Sequence, residues 1–471
     1  KGKRCIKCVS TTNYFPYKLE TIGKFLNIPK LQIDFKQATI DEKITYCRRD
    51  TLIVREIINY YLKFLEEHKL GKFSLTRASQ AFTAYRTKFM KHEIYTHNNT
   101  EVIELEQAGY FGGRVESGFL GKMPKEDYVL VDINSQYPYV MQKYKYPTRL
   151  VDYTENINYE LLPLILRDYC VMAEVWISTD EPIYAVRRKG KLIFPTGKFR
   201  TVICTEALKY GLKHNHIEAI IKMSIYRKAD IFSDYIKYFY NYKQLYSKQD
   251  NKIMRNISKY LMLHVYGKFG QMKPITTEQQ EINYKGYYRE ETYDLVTKQT
   301  EIVTKLFNKV WITFGREPSS YYFVSIPAHI TENARLYLYK LMKTVGIDNF
   351  IYCDTDSLII RRKHLPKLKR YLHKYRLGGL KEEYNFTDLT INGAKYYTMG
   401  DIKKIKGVPE KAHYLGDYKY EYTQFLRQDS HLRLQVTRFF VTQKVIKRVE
   451  PFYDKGKVLP DGRIERFVLK G

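Results

Sequence analysis

A mixed fold of the α/β (α+β) type is predicted for this 471-residue chain by three observations. Stretches with helical periodicity lie at 40–66, 231–246, 252–266 and 326–344. Short apolar runs of strand length, "YVLV" at 128–131 and "FIY" with "LII" at 350–352 and 358–360, stand between them. The length suffices for two to four compact units, each with its own core.

In chain order, "IDEKITYCRRDTLIVREIINYYLKFLE" at 40–66 is apolar at helical spacing behind an acidic start and reads as a long amphipathic helix. The polar stretch from about 71 to 105 reads as a connector. At 106–123, "EQAGYFGGRVESGFLGKM" places a Gly-Gly turn between two strands. "YVLVDINSQYPYVM" begins as a buried strand and is expected to break at Pro138. Short strands alternate with a helix near 205–213, and 231–266 forms an αα-hairpin rich in Lys and Tyr. Residues 271–320, rich in Thr, Glu, Lys and Tyr, read as a β-hairpin insertion. A helix at 326–344 leads into "NFIYCDTDSLII", a strand that turns at "DTDS" and returns.

Lys and Arg total 80 against 51 Asp and Glu, a formal net charge of +29. An excess of that size favours a polyanionic partner, nucleic acid first and an anionic membrane surface second. No apolar run approaches the roughly 18 residues of a membrane span, which weakens the second option. The 45 tyrosines offer flat rings that can lie on sugars and bases with the hydroxyl wet, although most fit a core role as well. Six cysteines, Cys5, Cys8, Cys47, Cys170, Cys204 and Cys353, show no disulfide framework and read as reduced intracellular thiols. "CIKC" at 5–8 has zinc-knuckle spacing, but no second pair follows it. The opening segment is basic without an apolar core, so it is not a secretory signal. The missing initiator Met leads us to expect that the chain begins inside a longer protein.

The chemistry gathers at acidic residues on strand ends. Asp354 and Asp356 are one residue apart, which on an extended chain puts both side chains on one face. Asp132 closes "YVLV" in the same way. Any lone D-x-D also fits a polar hairpin tip. Three carboxylates at strand ends, however, are what a two-metal phosphoryl-transfer site requires. The helical "KYLMLHVYGKFG" at 259–270 adds a cation for phosphate charge, Lys259, with Tyr266 two turns along and Gly267 for close approach.

Together these stretches resemble the family B DNA polymerases. "DINSQYP" is similar to motif A, "KYLMLHVYGKFG" to motif B and "YCDTDS" to motif C, in the family's order and spacing. The protein-primed branch carried by phages, viruses and linear plasmids is the closest likeness. "YFGG" at 110–113 resembles the Y-x-G-G element between exonuclease and palm, and "KYY" at 395–397 the K-x-Y element that holds the primer. The resemblance implies a right-hand polymerase: connector at 71–105, palm at 106–230 and 321–400, fingers at 231–270, insertion at 271–320 and thumb at 401–471. It implies Asp132, Asp354 and Asp356 as catalytic metal ligands for two Mg2+ ions, with Mn2+ as the alternative. Tyr137 would exclude a 2′-hydroxyl, Tyr266 would contact the nascent pair, and Lys259 would bind the triphosphate with Lys243 as a second contact. Tyr110, Gly112, Gly113, Lys395 and Tyr397 would touch DNA. "YCRRD", with Tyr46 and Asp50 at i and i+4, resembles the third exonuclease motif, so residues 1–70 are expected to be the end of an RNase H-like proofreading domain whose other motifs lie upstream. The implied partners are primer–template DNA, dNTPs and a terminal priming protein, with the enzyme an intracellular monomer in host cytoplasm or organelle. Leu263 and His264 depart from the Asn-Ser of motif B, and Gln136 from the Leu of motif A. A non-catalytic DNA-binding relative and a reverse transcriptase are the rivals. The three aspartates argue against the first, and D-T-D in place of the reverse transcriptases' D-D argues against the second.

Overall fold

The computed structural model describes residues 9–280, 286–296, 299–306, 308–426 and 442–471. Cys5 and Cys8 lie outside the described residues. Helix α1 (Ile40–Glu67) starts on a capping box in which Thr39 and Glu42 satisfy each other's backbone N–H groups. Strand β1 (Val115–Ser117) precedes β2 (Tyr128–Ile133), which is followed by α2 (Gln136–Lys143). The helical hairpin is α3 (Ser233–Lys248) and α4 (Lys252–His264), the second capped by Asn251 accepting from the Met254 N–H. Helix α5 (Ser325–Val345) is buried along most of its length and leads into β3 (Phe350–Asp354) and β4 (Ser357–Arg361), and β5 (Leu380–Phe386) follows.

These strands form an antiparallel sheet in the order β1-β3-β4-β2-β5. Its alternation separates two environments. Val129, Val131, Ile133, Leu358 and Ile360 face an apolar cluster completed by Leu338, Leu341 and Met342 of α5 and by Leu365 and Leu368. Leu130, Asp132 and Ser357 face an open cleft instead. A second five-stranded sheet is built from Tyr146–Thr154, Tyr169–Thr179, Thr196–Cys204 and Ile217–Ala229, and Val468–Lys470 joins its edge in parallel with Thr196–Cys204. The C-terminal segment, expected to be part of a thumb, thus returns to the middle of the chain. The largest apolar cluster joins Ile53, Ile57, Tyr61 and Phe64 of α1 to Tyr235, Ile236 and Phe239 of α3 and to Met254, Ile257 and Leu261 of α4.

Three expectations change. The chain does not break at Pro138, which sits in the first turn of α2, where a missing N–H costs nothing because the carbonyl four residues back, on Asn134, lies outside the helix and accepts from the Gly378 N–H. The break is made earlier by Ser135, whose φ is 53°. The stretch 71–105, read as a polar connector, is not polar throughout: it contains the helix Arg77–Ala84 and the start of Thr100–Gly109, and Ala81, Phe82, Ala84 and Tyr85 are buried in the main cluster. Residues 271–320 form a four-stranded antiparallel sheet, Met272–Gln280, Lys309–Pro318, Thr300–Leu306 and Tyr287–Tyr293 in spatial order, rather than one hairpin. Among the described residues no helix is long and apolar enough to cross a membrane.

Candidate active site

The turn between β3 and β4 is held from three sides. Thr355, in the left-handed region at φ 62°, donates its N–H to the Arg114 carbonyl at 2.7 Å. The Asp356 N–H donates to the Asp354 carbonyl, and the Asp356 carbonyl accepts from the Ile133 N–H, both at 2.7 Å. A turn, and not an extended D-x-D, therefore places Asp354 and Asp356. Asp132 arrives from β2 directly opposite Ser357. All three carboxylates line one cleft of about 720 Å³, shared with Glu383, Lys395, Tyr397, Lys404 and Glu410.

The electrostatics of this cleft are unbalanced. Burial, together with the charges of Asp356 and Glu383, pushes the Asp132 carboxyl up to about 7 against the opposing pull of Lys259 and Lys381. Asp356 is raised by burial and by Asp354. Asp354 accepts from Thr355 Oγ1 and from Lys395 Nζ, each at 3.1 Å. Among the described residues no three His, Cys, Asp or Glu side chains converge closely enough to hold a metal ion as they stand. The donor set nevertheless suits a hard divalent cation: all oxygen, with two carboxylates raised by burial and neighbouring negative charge and the third paired with the exposed Lys395.

The predicted nucleotide contacts assemble over the same cleft. Lys243 of α3 donates to Ser135 Oγ at 2.8 Å, and burial, then Lys259 and Arg255, push its amine down to about 8. Lys259 of α4 acts electrostatically on both Asp132 and Asp356. Both lysines are therefore brought to the aspartates from separate helices. The rings of Tyr137 and Tyr266 lie 5.3 Å apart, and burial raises both phenols, Tyr137 to about 12. Helix α4 ends at His264, so Tyr266 sits on a following 3-10 turn, Tyr266–Gly270, and not two helical turns along. A Cβ on Gly267 would have nothing within 4 Å, which leaves its approach open. His264 lies against Tyr260, itself covered by Arg77, and burial holds its imidazole below the usual range.

The Gly pair is not a turn between strands but an extended approach to β1. A Cβ on Gly113 would stand 2.9 Å from two atoms of the Thr355 side chain and 3.1 Å from the Tyr137 hydroxyl, whereas one on Gly112 would meet nothing within 4 Å. Tyr110 packs against Gly270, where a Cβ would stand 3.1 Å from its ring. Lys395, at φ 60°, donates its N–H to the Tyr352 hydroxyl at 2.8 Å, and Tyr397 lies on the Tyr352 ring at 5.0 Å.

Two groups were missed by sequence reasoning. Arg335 of α5, buried, donates to the carbonyls of Phe111 at 2.8 Å and Gly112 at 2.9 Å, with Glu332 3.7 Å away, and so holds the 110–113 segment in place. The signal was available: "TENAR" puts two charges inside the buried first half of the helix. Glu383 is the other, and "KEE" on a strand beside the buried β2 pointed to an edge facing a cleft. Apart from this cleft, Tyr46 and Asp50 share Lys30, whose ammonium pairs with Asp50 at 2.5 Å, stands 3.9 Å from the Tyr46 ring centre and bonds the Tyr46 hydroxyl. Lys30 was not anticipated either.

With strands, turn and basic helices converging in this way, the class is that of a palm-type nucleotidyltransferase fold. The sequence profile described as "DNA polymerase type B, organellar and viral" matches residues 9–370, and the chain belongs to that family. A "Probable DNA polymerase" of Neurospora intermedia is 24% identical over 403 residues, covering 79% of this chain and 40% of that protein. The "DNA-directed DNA polymerase" of Enterobacteria phage PRD1 is 28% identical over 298 residues, 62% of this chain and 49% of its own length. Phi29 DNA polymerase, solved with primer–template DNA and incoming nucleotide, superposes with a TM-score of 0.60 at 15% identity over 93% of this chain and 71% of that one, so the fold is the same. The chain spans less than half the length of the Neurospora and PRD1 relatives.

Proposed function

We propose that the chain is the polymerising part of a protein-primed, DNA-templated DNA polymerase, which adds dNTPs to a primer 3′-hydroxyl. The observation that carries this reading is the meeting of Asp132, Asp354 and Asp356 in one cleft with Lys243 and Lys259 beside them. Phosphoryl transfer between strongly anionic reactants is governed by positioning and charge compensation. Two divalent ions, Mg2+ with Mn2+ as the alternative, would be held by the three aspartates and would activate the attacking hydroxyl and neutralise the triphosphate. Lys243 and Lys259 meet the triphosphate. Tyr137 and Tyr266 form the floor under sugar and base, where a ring in place of a small side chain leaves no room for a 2′-hydroxyl. Lys395 is free to leave Asp354 for the primer phosphate, and Tyr397 with the 110–113 segment lines the strand's path.

In this reading residues 106–230 and 321–400 are palm, 231–270 fingers, 271–320 an insertion, 401–471 thumb and 1–70 the end of a proofreading domain, joined to the palm through 71–105. A terminal protein as primer, a monomeric state, and a place in host cytoplasm or organelle belong to the same proposal. The test is primer extension on a short DNA template. D132A and D354A should each lose at least about a thousandfold in rate while holding primer–template within a few-fold, because the carboxylates serve the chemistry and the basic surface the DNA. Extension that survives both substitutions would refute the assignment.

A further inference from the structure

The proposed chemistry occupies the cleft face of the central sheet, yet a largely uncompensated basic strip lies on the other face. Residues 361–376 contain eight Lys or Arg and no Asp or Glu. They begin at the end of β4, run as the 3-10 helix Arg362–Tyr371 and continue in a loop up to Gly378. Leu365 and Leu368 insert into the cluster formed by Val129, Val131, Leu358 and Ile360, whereas Asp132 and Ser357 face the cleft, so the strip is on the side of the sheet away from the catalytic carboxylates. A duplex seated on those carboxylates is therefore across the sheet from it.

At the strip's start Arg361 pairs with Glu126 at 2.9 Å and Arg362 with Glu382 at 3.4 Å. Beyond them Lys363, Lys369, Arg370, Lys374 and Arg376 are exposed and make no ion pair among the described residues. The field they create is felt by His364, whose imidazole is lowered by burial and then by Lys367, Lys363 and Arg361. Aromatic rings alternate with these charges. Arg370 stands 4.8 Å from the Tyr371 ring centre and Lys374 5.4 Å from that of Tyr375, which is 58% exposed. A 3-10 helix stacks residues three apart about 6 Å from one another, so Lys363 and Lys369 stand on one row and Lys367 and Arg370 on the next.

We propose that this strip is a second nucleic-acid surface, which binds single-stranded DNA. Rows of unpaired cations track a phosphate backbone, and rings set between them give stacking faces that only unpaired bases can use. An acidic protein would need the charges but not the exposed Tyr375 ring. The far end of the strip is firmly placed: the Tyr375 carbonyl accepts from Tyr240 at 2.6 Å and from Gln244 at 3.2 Å, both on α3, and Asn134 donates to the His373 and Lys374 carbonyls at 3.0 Å. The strip thus ends against α3, while its 3-10 helix stays on the face of the sheet away from the cleft. The helix alone is about 20 Å long, room for a few nucleotides.

The experiment saturates the 471-residue chain with primer–template and then titrates a fluorescent oligo(dT) of about twelve nucleotides. We expect a second, salt-sensitive binding event. The triple substitution K363E/K369E/K374E should weaken it at least about tenfold, and Y375A about fivefold, with primer–template affinity and extension of a short primed template within about twofold of the parent. Should the glutamate triple melt lower than the parent, K363Q/K369Q/K374Q carries the same expectation. Absence of a second event, equal binding by the variants, or displacement of the oligonucleotide by polyglutamate more effectively than by unlabelled oligo(dT) would overturn the proposal, the last in favour of an acidic protein.

Discussion

Burial and the charges of Asp356 and Glu383 push the Asp132 carboxyl up to about 7 in the fold, whereas an unfolded chain releases the proton in the ordinary aspartate range, about 3.9. Between those limits the folded state binds more protons than the unfolded one, so this group's contribution to stability falls as pH rises and stays low above 7. D132N removes the charge at nearly constant shape. Its urea midpoint in EDTA should exceed the parent's at pH 8 and approach it toward pH 5, a difference on the order of 2 kcal/mol between the two conditions. Equal midpoints at pH 8 would mean that Asp132 is not confined as its surroundings require. At Tyr137 the argument is steric. Its ring lies 5.3 Å from that of Tyr266, and a Cβ on Gly113 would stand 3.1 Å from its hydroxyl, so little room is left for it to swing away from a bulkier sugar. Y137V should raise ribonucleotide incorporation by at least about tenfold relative to dNTPs, and an unchanged ratio would take Tyr137 out of that role.

At the scale of elements, the catalytic turn depends on a neighbour that gives way nowhere. Gly113 lies against Thr355, which is β-branched and already in the left-handed region, so an added methyl has no flexible side chain to displace. G113A should therefore push the Asp354–Asp356 turn, costing about 1–3 kcal/mol in stability and most of the extension rate. G112A, with open space about it, should fold as the parent does. If only G112A slows extension, the open space there is occupied by DNA. The same elements show what sequence could and could not give. Helices α1, α3, α4 and α5 were legible to within about two residues because their apolar faces repeat at helical spacing over many turns. That Asp132, Asp354 and Asp356 lie close together was legible because Asp132 and Asp354 stand at or next to the ends of apolar strands and Asp356 in the turn that follows Asp354. Pro138 misled because its effect depends on its place in a helix, which the left-handed Ser135 fixes and no periodicity reveals. The helix Arg77–Ala84 was missed because "RASQAFTA" is too short and too polar to show a period, although tertiary contact buries half of it. Arg335 and Glu383 act across strands and helices far apart in sequence, so only the assembled fold shows what they touch.

For the whole molecule the open question is whether polymerisation and proofreading reside together in this chain. Hydrolysis of a terminal nucleotide by two metal ions needs several carboxylates about one phosphate. Around Tyr46 the structure offers Asp50 alone, and one of its oxygens is taken by Lys30 while the other is buried without a hydrogen-bond partner. Asp41 and Glu42 lie in the first turn of α1, where Glu42 is committed to the capping box. Helix periodicity puts them more than two turns below Asp50, beyond the reach of a shared ion. Among the described residues no group of three or more Asp, Glu, His or Cys side chains able to hold a metal ion forms here. Lys30 partly offsets the single negative charge, so a divalent cation gains little there. The 471-residue chain should therefore extend a matched primer yet leave a mismatched 3′ end intact, as followed on a labelled primer with Mg2+ and no dNTPs. D50A should then change neither result. Degradation of the labelled primer that is lost on D50A, with extension preserved, would show instead that Tyr46, Asp50 and Lys30 form a working hydrolytic site whose remaining ligands come from elsewhere in this chain.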